Sequence, residues 1–251
     1  MKFIDMHCDT LMLAYLQKFD DIYEMPGMLD IRRMKEGEAL AQFFAIFMLP
    51  PGAEKMMGLE NPVDYIEYIE TSLKVFNDSM KNNSDIIAAA YNAKDITENE
   101  KNGKMSGLLT FEDGRAIDGK MENIKKYYDL GIRLISLTWN HDNCFGYPNS
   151  KDPEIMQKGL KDFGKEAIPY MNELGIIIDV SHLSDGGFMD VASLSKKPFV
   201  ASHSNCRSIS PHQRNLTDDM IKILGEKGGV AGINFGPEFL NEDLEIKDST
   251  I

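Results

Sequence analysis

The chain has 251 residues, 43% of them hydrophobic, with 40 acidic against 27 basic side chains and a formal net charge of −13. Those apolar and charged fractions exclude a disordered or collagen-like chain. The acidic balance argues against nucleic acid and anionic membrane surfaces, both of which would repel it.

Three widely spaced cysteines, Cys8, Cys144 and Cys206, make no disulfide framework and fit a reducing cytoplasm. The longest apolar run, residues 43–49, is far short of the about twenty residues that cross a bilayer. Asp5, His7 and Asp9 interrupt the start, where a signal peptide would be apolar.

In chain order the first candidate strands are residues 2–7 and 41–48. Asn61 then caps a helix whose first residue is Pro62, and Val63, Ile66, Ile69, Leu73, Phe76 and Met80 recur at spacings of three or four, on one face. Residues 86–90 read either as a strand or as the start of a helix. Strands follow at 105–111 and 132–138.

Leu160, Phe163, Ala167, Met171 and Leu174 mark another helix, with Gly175 as its C′ stop. After strands at 175–180 and 198–203, Thr217 is an N-cap with Leu216 and Ile221 placed as a hydrophobic staple. A last strand spans 229–235. Most of these strands are continuous apolar runs, the pattern of parallel strands buried on both faces. No fixed-period repeat, low-complexity tract or Pro, Gly or Ser-rich linker divides the chain, so a single domain over residues 1–251 is expected.

Alternating strands and helices imply parallel strands joined by right-handed crossovers. No Gly-rich phosphate loop follows the first strand; His7-Cys8-Asp9 does. That favours a (β/α)8 TIM-like barrel, whose catalytic side chains come from the C-terminal ends of several strands. Potential metal ligands fall at such ends: His7 and Asp9 at the first, then Glu112, His182 and His203. Two residues apart on a strand, His7 and Asp9 point to the same side.

A lone strand-end histidine is more often a structural residue than a ligand, but a barrel would gather all of these at one mouth. Three imidazoles and two carboxylates suit a divalent ion such as zinc. Glu112 has two oxygens and can bridge two ions, and two ions about 4 Å apart can share a hydroxide of lowered pKa and polarise the bond under attack. The chemistry implied is hydrolysis.

From about Phe3 to Leu240 the chain carries an ordered set of motifs. They are His7-Cys8-Asp9, Phe111-Glu112-Asp113-Gly114, Ser136-Leu137-Thr138-Trp139-Asn140 and Ile178-Asp179-Val180-Ser181-His182. Ser202-His203-Ser204-Asn205-Cys206-Arg207 then runs into Pro211-His212-Gln213-Arg214-Asn215 and Asp218-Asp219, with Gly228-Gly229-Val230 and Asn234-Phe235 beyond. In these motifs the chain resembles the renal (membrane) dipeptidase family of zinc peptidases, within the amidohydrolase-like barrels.

The resemblance implies two zinc ions, one held by His7 and Asp9, the other by His182 and His203, with Glu112 bridging them. It implies that Arg214 binds the C-terminal carboxylate of a dipeptide through its planar guanidinium fork. The alternative for Arg214 is a surface side chain pairing with Asp218 or Asp219. A homodimer is expected only by analogy with the family.

Two departures stand out. The family places a substrate-contacting histidine directly after Leu-Thr, whereas here Trp139 follows Leu137-Thr138 and His141 lies two residues later. His141 either takes over contact with the tetrahedral oxyanion or is a loop histidine facing water. The family's Gly-Ser-Asp-Phe-Asp-Gly segment, whose aspartate shuttles a proton to the leaving amine, is absent from this sequence.

Instead Gly236-Pro237-Glu238-Phe239-Leu240 leads into an acidic tail in which Asp243 and Asp248 read as solvated carboxylates. The expectation is a barrel truncated before its eighth strand, with its C-terminal part missing. Alternatively, residues 86–90 patch the gap or a neighbouring chain lends a strand. Cys8 is expected to pack rather than ligate, Cys144 and Cys206 to lie in loops near the mouth, and the sixteen methionines to fill the core.

The leading expectation is a cytoplasmic zinc metallo-dipeptidase with a small dipeptide as its substrate. A second reading keeps the metal site but changes the substrate to another amide or a lactone. A third is a catalytically inactive barrel that binds metal and dipeptide.

Overall fold

A computed structural model describes residues 2–50, 52 and 63–241. Its first elements are β1 (Phe3–Cys8), α1 (Thr10–Gln17), α2 (Ile31–Glu36), β2 (Ala39–Phe47), α3 (Tyr65–Asn82), β3 (Ile87–Ala89), α4 (Ala93–Lys101) and β4 (Met105–Glu112). Then come α5 (Met121–Asp129), β5 (Ile132–Ser136), α6 (Pro153–Met156), α7 (Asp162–Leu174), β6 (Ile177–Asp179), α8 (Asp185–Leu194), β7 (Val200–Ala201), α9 (Asp218–Glu226) and β8 (Val230–Ala231). The fold class is α/β, with parallel strands alternating with helices in the series of a TIM-like (β/α)8 barrel. The chain divides into two compact units, residues 1–112 with 127–133, and residues 113–126 with 134–251.

In the first unit β2 lies between β1 and β4, and all pairings are parallel. The β2–β4 register is unbroken from Ala41↔Ser106 to Phe47↔Glu112. Both strands are buried almost throughout, which is why their sequences are continuous apolar runs. Helix α3 covers them, with Phe76 meeting Phe44 edge to face at 5.8 Å. Gly107 on β4 permits that approach, since a Cβ there would stand 2.8 Å from the Met80 sulfur.

Helix α3 departs from the expectation at its start. Asp64 is its N-cap and accepts from the Ile66 and Glu67 N–H groups, whereas Asn61 and Pro62 lie outside the described residues. Ile69, Leu73, Phe76 and Met80 are buried as their spacing predicts, but Ile66 is 66% exposed. At that end Tyr68 fills the core instead, its ring edge-on to Tyr15 at 4.7 Å. Residues 86–90 resolve as strand: β3 pairs with β4 from Ile87↔Met105 to Ala89↔Gly107. It pairs with β4 off the main strand order, so the alternative that residues 86–90 serve as a closing barrel strand is not met.

In the second unit the order is β5, β6, β7, β8. The apolar runs at 175–180, 198–203 and 229–235 all yield strands, but the ladders cover three, two and two residues. Beyond them some main-chain bonds persist, Val180 N to the Val200 carbonyl at 2.8 Å and Ser204 N to the Gly232 carbonyl at 2.9 Å, and side chains supply others. Ser181 N and Ser202 N donate to Asp179 Oδ1, His203 N to Ser181 Oγ, and Asn234 N to Asn205 Oδ1.

Leu160, Ala167 and Met171 are buried, Phe163 meets Phe145 edge to face at 5.2 Å, and Gly175 ends α7 at φ 84°. Thr217 caps α9 as predicted, accepting from Met220 N at 3.2 Å. Leu216 is buried, but Ile221 remains 37% exposed, so the expected staple does not bury it. Asp243 and Asp248 lie outside the described residues. Among the described residues, no helix is long and apolar enough to cross a membrane.

Candidate metal centre

The first unit brings three of the expected donors together. His7 lies within β1, and Glu112 is the last, buried residue of β4. Asp9 is not on the strand: its φ of −97° and ψ of 23° have already turned toward α1. It still reaches His7, because it occupies the N-cap position without making a side-chain cap bond. Asp9 Oδ1 is 3.6 Å and Glu112 Oε2 3.4 Å from His7 Nε2.

Burial alone would lower the proton affinity of His7, but the pull of Glu112 and Asp9 overrides it and raises the pKa well above the ordinary histidine value. One imidazole and two carboxylates this close form a cradle for positive charge, a donor set suited to a divalent cation. Cys8 stands between two of these donors, yet burial pushes its thiol up to about 12. At neutral pH the metal-free chain therefore holds it as the thiol.

The second unit brings together the other two. His182 follows β6 in a left-handed conformation, φ 68°, which costs energy for a residue with a Cβ. Its carbonyl is held by Asn149 N at 2.7 Å, Asn149 Nδ2 at 3.1 Å and Thr138 Oγ1 at 3.2 Å. Its Nδ1 meets Asn140 Oδ1 at 3.1 Å, and His203 Nδ1 meets Ser202 Oγ at 2.6 Å. The two Nε2 atoms face each other at 3.1 Å. Zinc–nitrogen bonds of about 2.0–2.1 Å in a tetrahedron hold two ligand nitrogens about 3.3 Å apart, so the pair is spaced to share one ion.

Beside His182 a cavity of about 460 Å³ is lined by Lys151, His212, Arg214 and Glu238, among others. Arg214 is 5% exposed, donating from Nη1 to Ser204 Oγ at 2.7 Å and from Nη2 to the His203 carbonyl at 2.9 Å. It is therefore not a surface arginine of the kind that would pair with Asp218 or Asp219. Asp218 accepts instead from Ser208 Oγ and Cys206 Sγ. Burial, then Lys151 and Arg214, hold His212 below the ordinary histidine pKa.

His141 is exposed, its ring 5.9 Å from Trp139, whose ring is in turn 6.1 Å from His182. Cys144 is half-buried, and burial raises its thiol pKa. Asn140, Ser202, Lys151, His212 and Glu238 join the site without a role predicted from the sequence. Asn140 and Ser202 adjoin expected site residues inside the motifs already noted, whereas Lys151 carries no pattern that would have marked it.

The sequence profile described as membrane dipeptidase (peptidase family M19) matches residues 1–251. An uncharacterized dipeptidase of Schizosaccharomyces pombe is 28% identical, over 96% of this chain and 61% of its own. The dipeptidase aclJ of Aspergillus oryzae is 29% identical, over 90% of this chain and 54% of its own. The chain thus spans between half and two thirds of the length of these relatives.

Among solved structures, dipeptidase AC, a metallopeptidase of family M19, matches with a TM-score of 0.84 at 26% identity, covering 100% of this chain and 77% of that one. A metallopeptidase from Rhodobacter sphaeroides, liganded with a phosphinate mimic of the dipeptide L-Ala-D-Ala, matches at 0.82 and 27% identity, covering 97% and 76%. With a profile matched from end to end and shared architecture, the chain belongs to the membrane dipeptidase family, peptidase family M19.

Proposed function

We propose that the protein is a zinc-dependent dipeptidase, hydrolysing the peptide bond of small dipeptides. The observation that carries this reading is the pair of imidazoles with Nε2 atoms 3.1 Å apart, in a chain whose family is that of the membrane dipeptidases. His7 and Asp9 would hold one ion, His182 and His203 a second, and Glu112 would bridge the two. When bound, such ions acidify a water and polarise the carbonyl under attack.

The chain's own residues supply the rest. Glu112, buried at the end of β4, sets the negative charge that balances the cations. Arg214 receives the free carboxylate of the substrate: its bonds to Ser204 and the His203 carbonyl fix the guanidinium plane, and a fixed plane suits two-point carboxylate recognition. His141, on the Trp139 loop, contacts the oxyanion as it forms. Three free cysteines favour a reducing cytoplasm.

A second reading is binding of metal and dipeptide without turnover. Zinc content together with turnover of a panel of L,L- and L,D-dipeptides separates the two. Two zinc ions per chain with turnover supports the dipeptidase, and zinc and dipeptide binding without turnover supports the second reading. Hydrolysis of lactones or other amides but not dipeptides would change the substrate class. Absence of both metal and hydrolysis would sink the proposal.

A further inference from the structure

We infer that Asp179 is a positioning residue that, through Ser202, holds the His203 ring with its proton on Nδ1 and its Nε2 turned to the metal. The inference rests on the proposed reading that His203 binds zinc. Asp179 is the last residue of β6 and is wholly buried. A carboxylate inside a protein is costly unless its oxygens are bonded, and here they are. Oδ1 accepts from Ser181 N at 2.9 Å and Ser202 N at 2.8 Å, and Oδ2 from Ser136 Oγ at 2.5 Å and Ser202 Oγ at 2.6 Å.

With two N–H groups on Oδ1 and two hydroxyls on Oδ2, Asp179 is placed as an acceptor, so the single hydroxyl proton of Ser202 points at it at 2.6 Å rather than at Ser181 Oγ, 3.4 Å away. In its 2.6 Å contact with His203 Nδ1 the Ser202 oxygen is therefore the acceptor, and the ring nitrogen donates. That places the lone pair of the ring on Nε2, the atom facing His182. The same carboxylate also acts on the backbone: Ser181, whose N–H it binds, accepts from His203 N at 3.1 Å through its hydroxyl. Ligating histidines commonly donate their second N–H to a carboxylate or carbonyl. In this chain a serine hydroxyl stands between the two.

Ser136 provides an internal control. It bonds the same Asp179 oxygen from β5, at 2.5 Å, whereas Ser202 adjoins His203 in sequence and meets its Nδ1 at 2.6 Å. Zinc affinity is read by competition with a chromophoric chelator in wild type, Ser136→Ala, Ser202→Ala, Asp179→Asn and His203→Ala. The His203 tautomer is read separately by long-range ¹H–¹⁵N correlation on metal-free protein.

The expected result is that Ser202→Ala weakens one zinc by about 10–100-fold and abolishes the single Nδ1–H tautomer, while Ser136→Ala changes neither. Equal zinc affinity in the two serine variants, or an Nε2–H tautomer in wild type, overturns the inference. Unchanged zinc binding in His203→Ala overturns the metal reading itself. Ser202→Ala keeps the test decisive even where Asp179→Asn fails to fold.

Discussion

The two units hold their donors by different means. In the first, β2 and β4 pair without a break from Ala41↔Ser106 to Phe47↔Glu112, and His7 and Glu112 sit within strands. Their placement follows from the backbone ladder, and the cluster is dense in charge, two carboxylates against one imidazole.

In the second, β7 and β8 are two residues each, and both histidines lie beyond the ladder. There the side chains of Asp179, Ser181 and Asn205 accept from main-chain N–H groups of Ser181, Ser202, His203 and Asn234. Side-chain hydrogen bonds thus supplement in the second unit the pairing that strand length alone supplies in the first. The first donor group should be sensitive to loss of charge or of core, the second to loss of single polar groups.

The hardest test of that contrast is Glu112→Gln, which keeps the shape and removes the charge. Dipeptide turnover should fall by on the order of 1,000-fold, about 4 kcal/mol, with reduced zinc content. A loss under tenfold in kcat/KM would mean that charge is not what this cluster contributes.

Next is the core beneath the ladder. Phe44→Ala removes a fully buried ring that meets Phe76 at 5.8 Å and should cost about 3–5 kcal/mol in denaturant unfolding. Zinc content of the folded fraction should be preserved, because the neighbouring ladder pairs remain. Loss of zinc along with stability would show that side-chain packing, not strand pairing, places His7 and Glu112.

The same contrast explains what could be read in the sequence. β2 and β4 were legible because strands buried on both faces give continuous apolar runs. β6, β7 and β8 are legible too, but each is shorter than its apolar run: Val180, Ile233 and Phe235 continue the apolar pattern after the strand has ended. Hydrophobic runs report burial or mere apolarity, not hydrogen bonding.

His7, Glu112, His182 and His203 stood out because each follows an apolar run. The Asn140 and Ser202 contacts did not, since loop geometry and side-chain rotamers decide which polar neighbour meets a ring nitrogen. The start of α3 is ambiguous in the sequence because Asn61 and Asp64 are both competent caps, three residues apart.

Arg214→Met tests the second unit at the substrate end. KM for dipeptides should rise about 100-fold, near 2.7 kcal/mol, with kcat changed less. Arg214→Lys should recover little, since an ammonium keeps the charge but lacks the planar fork. A fall in kcat at unchanged KM would assign Arg214 a different task, steadying the His203 carbonyl that it bonds at 2.9 Å.

The smallest effect asks whether the contrast extends beyond the sheets. Asp64 caps α3 in the first unit, accepting from Ile66 N at 2.9 Å and Glu67 N at 3.3 Å, and Thr217 caps α9 in the second, accepting from Met220 N at 3.2 Å. A cap satisfies N–H groups within one turn and does not depend on strand length. Asp64→Ala and Thr217→Ala should therefore each cost about 1 kcal/mol by thermal unfolding, with zinc affinity unchanged in both. If Thr217→Ala costs markedly more, or loosens zinc, then α9 helps to hold the short β7–β8 ladder, and the burden carried by side-chain bonds in that unit is shared with its helices.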